Sequence, residues 1–424
     1  MQRFFTALLI GGLVLGLTAG LFGNGLNLNG IGSKASAMGT CFIGLADDFS
    51  AVFFNPAGLT QMKNPSLTVF ITDLVPTGTY NFELLGTTLA DTQTENRMYP
   101  SGALAYFKPL SDKLVVGIAG YVPSGVGSEW PGDELAMLSG GTDFVWNSTI
   151  FMITVSPAAA YKISEKFSIG ASLNIDYVRL TMDRPGGDGS VIPYFQYSET
   201  FSGFGLGATI GLMYKPMDML SIGLSWKAPV KATISGSARA PFLSALGLPG
   251  MSDGERTATW PMWLGAGIAF KPTDRLTIVA DVNYNNWKKM QSIPVTFDEP
   301  GWVIAGLEEA SEFVLKWEDT WDIKVGAEYR LSDTLALRAG FYTDNSPSPA
   351  ETLNILLPSI DYRVVTFGLG YTRGKINVDL AVEVISGSDR FVDPMNYLVG
   401  AGMPGTHGMK LIVPNIAVTY VFGK

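Results

Sequence analysis

The sequence predicts an all-β protein, a 14-stranded antiparallel transmembrane β-barrel with an N-terminal hatch folded inside its lumen. Two observations carry this prediction. From about Leu67 to the C-terminus, the chain repeats a pattern in which about ten residues of alternating apolar and polar side chains precede a turn. The links between these segments alternate between short and long, as they do in a barrel whose long loops all lie at one end.

The N-terminus carries the one long apolar run of the chain, which predicts a secretory signal peptide over residues 1–20. Arg3 precedes an apolar core at residues 4–17, and small residues follow at 18–20. An uncleaved membrane anchor is the alternative, but this core is shorter than the ~20 residues that a spanning helix needs. We therefore expect the mature chain to leave the cytoplasm.

Residues 21–65 follow, and we expect them to fill the lumen as a hatch. The stretch 39–59 is rich in small residues and has neither a helical stripe nor strand alternation. The triplet Asn55-Pro56-Ala57 lies near its end. The barrel then occupies residues 66–424.

The alternating segments predict the strands of the barrel and the side on which its termini lie. The predicted strands are 66–82, 98–108, 113–123, 148–162, 166–182, 195–215, 219–235, 256–271, 274–288, 314–331, 333–344, 361–373, 375–386 and 411–422. Short links such as 109–112 contain the Pro, Ser and Asp residues that tight turns favour. Because six short turns alternate with seven long loops, both termini are expected on the short-turn side.

Side-chain alternation within the strands predicts what each face of the barrel meets. In the strand that begins at Lys375, the apolar face is Ile376, Val378, Leu380, Val382 and Val384, and the opposite face is Asn377, Asp379, Ala381 and Glu383. A soluble barrel would turn its apolar face inward. The charged opposite faces suit a wet lumen better, so we expect the apolar faces to meet lipid, with the soluble barrel as the alternative.

Charge and residue counts exclude several function classes. The formal net charge of −9 disfavours nucleic-acid binding. Cys41 is the only cysteine, which excludes a disulfide framework and a cysteine-based metal site. His407 is the only histidine, which argues against His-dependent catalytic triads and His-cluster metal sites. We therefore expect no cofactor, no metal and no nucleic-acid partner.

Three regions of the chain together resemble one known family. The first runs from Gly30-Ile31-Gly32 to Asn55-Pro56-Ala57, the second covers residues 317–342, and the third covers residues 344–349 with Pro358 and Asp361 beyond it. In order and spacing they are similar to the FadL family of outer-membrane transporters for long-chain fatty acids and other hydrophobic compounds. The resemblance extends over essentially the whole mature chain.

The resemblance implies a location, a route and partners. It implies a barrel in the outer membrane of a Gram-negative bacterium, without enzymatic activity. Extracellular loops would capture the ligand, a pocket beside the hatch would hold it, and a sideways opening at a bent strand would release it by diffusion. The implied partners are a hydrophobic small molecule, outer-membrane lipid and lipopolysaccharide, and the barrel-assembly machinery.

An apolar loop is the first candidate for ligand capture. The loop that begins at Ala240 carries four large apolar side chains, Phe242, Leu243, Leu246 and Leu248, on the side expected to face the cell exterior. A continuous exposed apolar patch usually marks a binding surface. The alternative is that these side chains pack only against neighbouring loops.

The strand that begins at Phe167 is the candidate for a deeper pocket. Its inward face turns from polar to apolar toward the outside, where it presents Val178, Leu180 and Met182 and ends on Arg184. A fatty acid needs this profile, because its carboxylate requires a cation in apolar surroundings. The resemblance matches Arg184 to the carboxylate-contacting arginine of the family and Lys316 to a second cation. Solvated rim charges are the alternative for both residues.

The third predicted strand is the candidate for the sideways opening. Gly117 and Gly120 indicate bulges or bends, and Pro123 removes a donor from the ladder. An inward bend would free backbone groups, and the Asn55 amide could bind them, because it carries both donors and an acceptor. The alternative is that Asn55-Pro56 only makes a turn.

Passive uptake of long-chain fatty acids or similar hydrophobic compounds is the function that these features favour. Uptake of aromatic hydrocarbons or alkanes by the same route is an alternative, because neither ligand needs a buried cation. A general porin would need an open lumen, an outer-membrane lipase would rest on His407 alone, and a structural barrel would leave the hatch and the apolar loop unexplained.

Overall fold

The computed structural model describes residues 24–190 and 192–423, and the predicted signal peptide lies outside them. Fourteen strands, β1 to β14 in chain order, form the wall. Their bounds are Ser66–Leu84, Tyr99–Pro109, Leu114–Trp130, Trp146–Lys162, Phe167–Gly186, Phe195–Met217, Leu220–Lys227 continued by Val230–Arg239, Met251–Trp260 continued by Trp263–Phe270, Leu276–Asn285, Thr320–Arg330, Leu335–Asp344, Tyr362–Arg373, Ile376–Gly387 and Gly405–Val421.

Consecutive strands pair antiparallel, and β14 pairs with β1 through contacts such as Val69 opposite Val418, which closes the sheet. The predicted 14-stranded antiparallel barrel is therefore confirmed. The seventh and eighth strands each have a two-residue interruption, at 228–229 and 261–262, where a proline removes a ladder donor.

The remaining elements are short and lie in the hatch and the loops. The helices are α1 Ser33–Ala37, α2 Ala51–Phe54, α3 Pro300–Ile304 and α4 Leu307–Ser311, and the 3-10 helices are Pro56–Gln61, Asp133–Ser139, Pro241–Leu246, Trp287–Lys289 and Ala350–Thr352. The short loop strands are Thr87–Gln93, Ser292–Ile293, Val295–Phe297, Phe313–Val314 and Arg390–Val392. No helix within the described residues is long and apolar enough to cross a membrane.

The two faces of the wall differ in polarity as the alternation predicts. On β10, Ile323 points outward and is 63% exposed, whereas the neighbouring Lys324 points into the lumen and is 3% exposed. On β13, Leu380 and Val384 are exposed on the outer face, and Glu383 is buried on the inner one. An apolar outer surface over a polar interior is the pattern of a membrane barrel, and the soluble alternative is wrong.

Most of residues 24–60 are buried inside the barrel, and at some points their backbone packs directly against the wall. On β5, a Cβ at Gly170 would collide with the backbone of Pro56 and Ala57. On β11, a Cβ at Gly340 would collide with the backbone of Met38 and Gly39. Glycine at such inward positions lets the hatch backbone approach the strands closely.

One seam of the wall is open over part of its length. β2 and β3 pair only as far as Ala103 opposite Tyr121, although β3 continues to Trp130. Next to this point the pairing of β3 with β4 shifts register between Tyr121 and Ser124. The irregularity falls at Pro123, which cannot donate to the ladder. The unpaired stretch beyond Ala103 and Tyr121 is called the gap between β2 and β3 below.

Candidate functional site

The described residues line an outer and an inner cavity that bear on the site. The outer cavity has a volume of about 320 Å³ and lies among the long loops. Most of its lining is aromatic or aliphatic, and its charged residues are Arg184 and Glu312. The apolar lining includes Tyr80, Phe82, Trp146, Tyr194, Phe313 and Leu356. This arrangement can hold an apolar ligand beside a guanidinium group.

Arg184 stands at the outer end of β5, where the strand enters the loops. Its guanidinium lies 5.2 Å from the centre of the Tyr197 ring and donates to the carbonyl oxygens of Pro185 and Ala310, at 3.2 and 3.0 Å. Its Nε is buried without a hydrogen-bond partner. The guanidinium therefore retains donor capacity for an anionic group in the outer cavity.

The apolar residues predicted beside Arg184 share its face of β5. Val178, Leu180 and Met182 alternate along the inward side of the strand, and all three are buried in one large hydrophobic cluster. They line neither cavity. The structure thus places them as the apolar column below Arg184, and their contact with a ligand stays a prediction.

An ion pair that the sequence did not reveal lies behind Arg184. The fully buried Arg256 donates to Glu199 Oε2 at 2.7 Å, and Tyr197 donates to the same oxygen at 2.6 Å. Arg256 also donates to the carbonyl oxygens of Ile293 and Ser311, which fixes the loop after β9 to the wall. Alternation along β6 would have placed Glu199 inward, but it could not identify a partner that lies two strands away.

Lys316 does not reach a cavity, and its predicted inward position is wrong. Its Nζ forms an exposed ion pair with Glu351 Oε1 at 2.8 Å. β10 begins only at Thr320, so the alternation that includes Asp322 and Lys324 does not extend back to residue 316. The positive φ of 50° at Lys316 also turns the chain away from a strand path.

The loop that begins at Ala240 forms no continuous exposed apolar patch. Leu243 is buried, and the Phe242 ring stacks on Phe195 with the ring centres 4.9 Å apart. Leu248 packs against the same cluster, and Leu246 alone of the four is largely exposed, at 62%. The expected capture surface is therefore wrong, because neighbouring long loops cover these side chains.

The inner cavity has a volume of about 100 Å³ and lies between the hatch and the irregular part of β3. Hatch residues such as Asn27 and Phe53 line one side, and Tyr121 and Pro123 line another. Its polar and charged lining includes Asp176, Lys227, Asn283, Asp322, Lys324 and Asp344. A purely apolar molecule would meet a poorly matched surface here.

Asn55 binds the wall at a different strand from the one predicted. Its Nδ2 donates to the carbonyl oxygens of Leu212 on β6 and Ile43 in the hatch, at 3.0 and 2.9 Å. Its Oδ1 accepts from the Ala57 amide at 3.2 Å, which caps the 3-10 helix that Pro56 begins. The predicted contact of Asn55 with β3 is therefore wrong.

The start of the hatch binds the exposed edge of β3 instead. The Leu28 amide donates to the Pro123 carbonyl at 3.0 Å, and the Gly125 amide donates to the Leu26 carbonyl at 2.9 Å. Residues 26–28 reach this edge, whereas Pro56 and Ala57 pack against Gly170 on β5. The hatch thus binds the wall with separate segments at its two ends.

The two predicted glycines of β3 differ in their surroundings. Gly117 is packed against the β2 residues Tyr106 and Phe107, where a Cβ would collide. Gly120 lies just before the register shift, and the nearest heavy atom to an added Cβ would be the Thr154 oxygen at 4.0 Å. The structure thus brings Gly117, Gly120 and Pro123 together on β3, away from Asn55, Pro56 and Ala57.

Charged side chains fasten the middle of the hatch. Lys34 Nζ lies 2.8 Å from Asp47 Oδ1 and 3.9 Å from Glu328 Oε2 on β10. Burial alone would lower the pKa of Lys34, but Asp47 and Glu328 raise it above its usual value. Burial, together with the charge of Asp47, raises the pKa of Asp48 to about 6.

The described residues contain no group of three or more His, Cys, Asp or Glu side chains placed to hold a metal. Cys41 is a buried free thiol. Fold and cavities together define a class, the membrane-spanning β-barrel that has an internal hatch with cavities beside it. Residues 17–422 match the model of the family described as outer membrane protein transport protein (OMPP1/FadL/TodX), and the chain belongs to that family. The resemblance and the outer-membrane location inferred from sequence are confirmed.

Relatives in this family share about a fifth of their residues with this chain. Outer membrane protein P1 of Haemophilus influenzae is 22% identical over 67% of this chain, and the match spans 65% of the relative, just under two thirds of its length. The long-chain fatty acid transport protein of Escherichia coli K12 is 22% identical over 87% of this chain and 88% of its own.

A solved structure shares the fold. The Pseudomonas putida toluene transporter TodX superposes with a TM-score of 0.72 at 19% identity, covering 94% of this chain and 100% of its own.

Proposed function

We propose that this protein transports long-chain fatty acids or similar hydrophobic compounds passively across the outer membrane. The observation that carries the proposal is Arg184, a cation with spare donor capacity at the edge of an apolar cavity. A charge-assisted hydrogen bond to a carboxylate beside an apolar lining would suit a fatty acid. The family and the name of the Escherichia coli relative support the same class of cargo.

The route would run from the loops to the side of the barrel. Cargo would enter the outer cavity, pass to the inner cavity and leave through the gap between β2 and β3. The inner cavity supports this path because Tyr121 and Pro123, which border the gap, are part of its lining. The hatch would keep the axial path closed. Transport would be passive, so the concentration gradient of the cargo would drive it. Outer-membrane lipid would receive it.

Uptake of hydrocarbons is the second candidate. The aromatic lining of the outer cavity favours it, and the TodX structure, which shares the fold, is that of a toluene transporter. A general porin fits less well because the hatch fills the lumen. We infer transport rather than catalysis, since His407 Nε2 lies 2.8 Å from the Met403 carbonyl oxygen and its ring packs at a tilt against the Tyr80 ring, which does not favour a role as a general base.

Substitution of Arg184 distinguishes a fatty-acid cargo from a hydrocarbon cargo. We expect Arg184→Met to weaken binding of hexadecanoic acid at least about tenfold, because a hydrogen bond to a charged group contributes roughly 1.5–3 kcal/mol. Binding of hexadecane to the same purified variant should be unchanged. Titration calorimetry in detergent micelles measures both ligands.

Arg97→Met is the matched control, because Arg97 forms a rim ion pair with Glu129 and lines neither cavity. If wild type and Arg184→Met bind the acid equally well, Arg184 does not take part in binding the acid. Wild-type protein that binds neither ligand would contradict the transport proposal itself.

A further inference from the structure

Lys227 is a lumen cation that the route described above leaves without a role. It ends the first part of β7 on the inward side and lines the inner cavity. Its Nζ lies 3.0 Å from the centre of the Phe53 ring in the hatch and 4.9 Å from the centre of the Trp263 ring on β8. Among the described residues, these two ring contacts and the attraction of the nearby Asp176 carboxylate are the interactions of Lys227 Nζ.

The other lysine of the inner cavity is already engaged. Lys324 donates to Thr40 Oγ1 at 2.8 Å and reaches the Asn29 carbonyl at 3.5 Å, both in the hatch. Aromatic rings stabilise the Lys227 ammonium through cation–π contacts, but they leave its three donors unused. Lys227 is therefore the lysine of this cavity whose side-chain donors are all available to a ligand.

Two buried acceptors in the same cavity also lack partners. Asp176 accepts from the Thr154 hydroxyl with Oδ1, while its Oδ2 has no hydrogen-bond partner. Asn283 Oδ1 has none either, and both side chains are at least nine-tenths buried. Buried polar atoms without partners are costly, so the cavity offers an unused donor and unused acceptors to an occupant.

The inward face of β5 changes from polar to apolar beyond this cavity. Asp176 lies at its polar end, and Val178, Leu180 and Met182 continue the same face toward Arg184. Eight residues separate Asp176 from Arg184, which corresponds to roughly 27 Å of extended strand. Asp176 thus lies where the polar part of this face meets its apolar part, so a head group in the inner cavity would lie at the polar end of the face.

We propose that Lys227 and Asp176 form a second head-group site, which binds the protonated carboxyl group of a long-chain acid. The carbonyl oxygen of the head accepts from Lys227 Nζ, and its hydroxyl group donates to Asp176 Oδ2. This assignment rests on the proposed transport of hydrophobic compounds and restricts the cargo to amphipathic acids.

The charges of the inner cavity favour a neutral head over an anion. Three carboxylates, Asp176, Asp322 and Asp344, and two lysines, Lys227 and Lys324, line it. A carboxylate ligand would add a fourth acidic group at close range, whereas a protonated acid adds no charge. A neutral head is also the form that can enter lipid through the gap between β2 and β3, because a bare charge in the bilayer is costly.

Photo-crosslinking locates the head group directly. The probe is hexadecanoic acid with a diazirine next to its carboxyl group, and the neutral comparison is hexadecane with a terminal diazirine. Purified full-length protein is irradiated in detergent, and crosslinked peptides are mapped by mass spectrometry. In the wild type we expect the acid to label inner-cavity peptides, including residues 220–230 and 255–265.

The variants Lys227→Met and Asp176→Asn should each reduce acid labelling of these peptides at least about tenfold, with labelling of the outer-cavity peptides unchanged. Lys227→Arg should retain most of it because the positive charge remains. Lys215→Met is the matched control, since Lys215 faces the lumen and binds Gln61 of the hatch but does not line the cavity.

Equal inner-cavity labelling by the acid in wild type and Lys227→Met would overturn the head-group site. So would alkane labelling of the inner cavity as strong as that by the acid. Heat-modifiable migration on gels checks that each barrel is assembled, and if Lys227→Met does not assemble, Asp176→Asn decides by the same measurement. Absence of labelling by both probes in wild-type protein would instead contradict the proposed transport function.

Discussion

At the scale of single residues, Asn55 connects local structure to the wall of the barrel. Its Oδ1 caps the 3-10 helix that Pro56 begins, and its Nδ2 binds carbonyl oxygens in both the hatch and β6. Glycine at 211 on β6 leaves room for this amide, because a Cβ there would collide with Asn55. One side chain thus positions the end of the hatch against the wall.

Asn55→Ala should loosen the hatch while the barrel still assembles. The substitution leaves the Ile43 carbonyl and the Ala57 amide without their partner, at roughly 1–3 kcal/mol for each buried group. Hydrogen exchange of residues 40–60 should accelerate, and uptake of a labelled fatty acid by cells that produce the variant should fall. Unchanged exchange and uptake would contradict the anchoring role.

Asp48 should make the seating of the hatch depend on pH. Its pKa of about 6 in the folded protein lies above the ordinary value of 3.8, so folding favours the protonated carboxyl group. The stabilisation is therefore complete below the ordinary value and is lost as pH rises through about 6.

Lowering the pH from about 7.5 to about 4 should therefore slow hydrogen exchange of the peptide around Asp48. We expect this slowing to be larger in the wild type than in Asp48→Asn. The variant keeps an acceptor for Ser50, whose amide and hydroxyl donate to Asp48 at 2.8 and 2.6 Å. An identical pH dependence in both proteins would exclude Asp48 as the titrating group.

At the scale of elements, the strands of the wall hold the hatch through glycines as well as through polar contacts. Gly170 on β5 and Gly340 on β11 face the hatch backbone directly. β3 differs, because its pairing with β2 ends at Tyr121 and residues 26–28 bind part of the freed edge. Because the seam beside β3 is the one where the pairing ends early, it is the place where we propose the sideways path.

Gly340→Ala should displace the hatch from β11. The added Cβ would overlap the backbone of Met38 and Gly39, which cannot move as a side-chain tip could. We expect faster hydrogen exchange of residues 33–45 and a loss of thermal stability of roughly 1–3 kcal/mol, the usual cost of overpacking. Gly120→Ala is the matched control for hatch seating, because its Cβ would lie 4.0 Å from the nearest heavy atom.

At the scale of the whole molecule, a closed wall and a seated hatch separate this protein from an open channel. The sheet closes through β1 and β14, and the hatch binds strands on several sides of the lumen through Asn55, Lys34 and residues 26–28. We therefore expect little ion conductance along the axis, whereas the proposed route for hydrophobic molecules uses the outer cavity and the gap.

Planar-bilayer recordings test this property. The wild type should conduct little, and a variant that lacks residues 24–61 should conduct as an open pore if its barrel assembles. A large steady conductance of the wild type would favour a porin. Gly340→Ala provides a milder comparison, because an unseated hatch should give frequent openings without removal of any residue.

Local sequence patterns were enough to predict the architecture of the barrel. Alternation sets the faces of a strand, and the lengths of the links set which ends they join, so the 14-strand barrel and the inward position of Val178 follow from local pattern. The motifs between Gly30 and Asp361 were enough to identify the family. These properties depend on neighbours in the chain, which is why they can be read without coordinates.

Contacts between groups that are distant in the chain could be assigned only from the folded protein. It paired Arg256 with Glu199, directed Asn55 to β6 rather than β3, and placed Lys316 in a rim ion pair with Glu351. It also put Lys227 against the Phe53 ring of the hatch. The hatch has no periodicity that would fix its path, and long loops pack according to shape, so these contacts depend on the closed barrel as a whole.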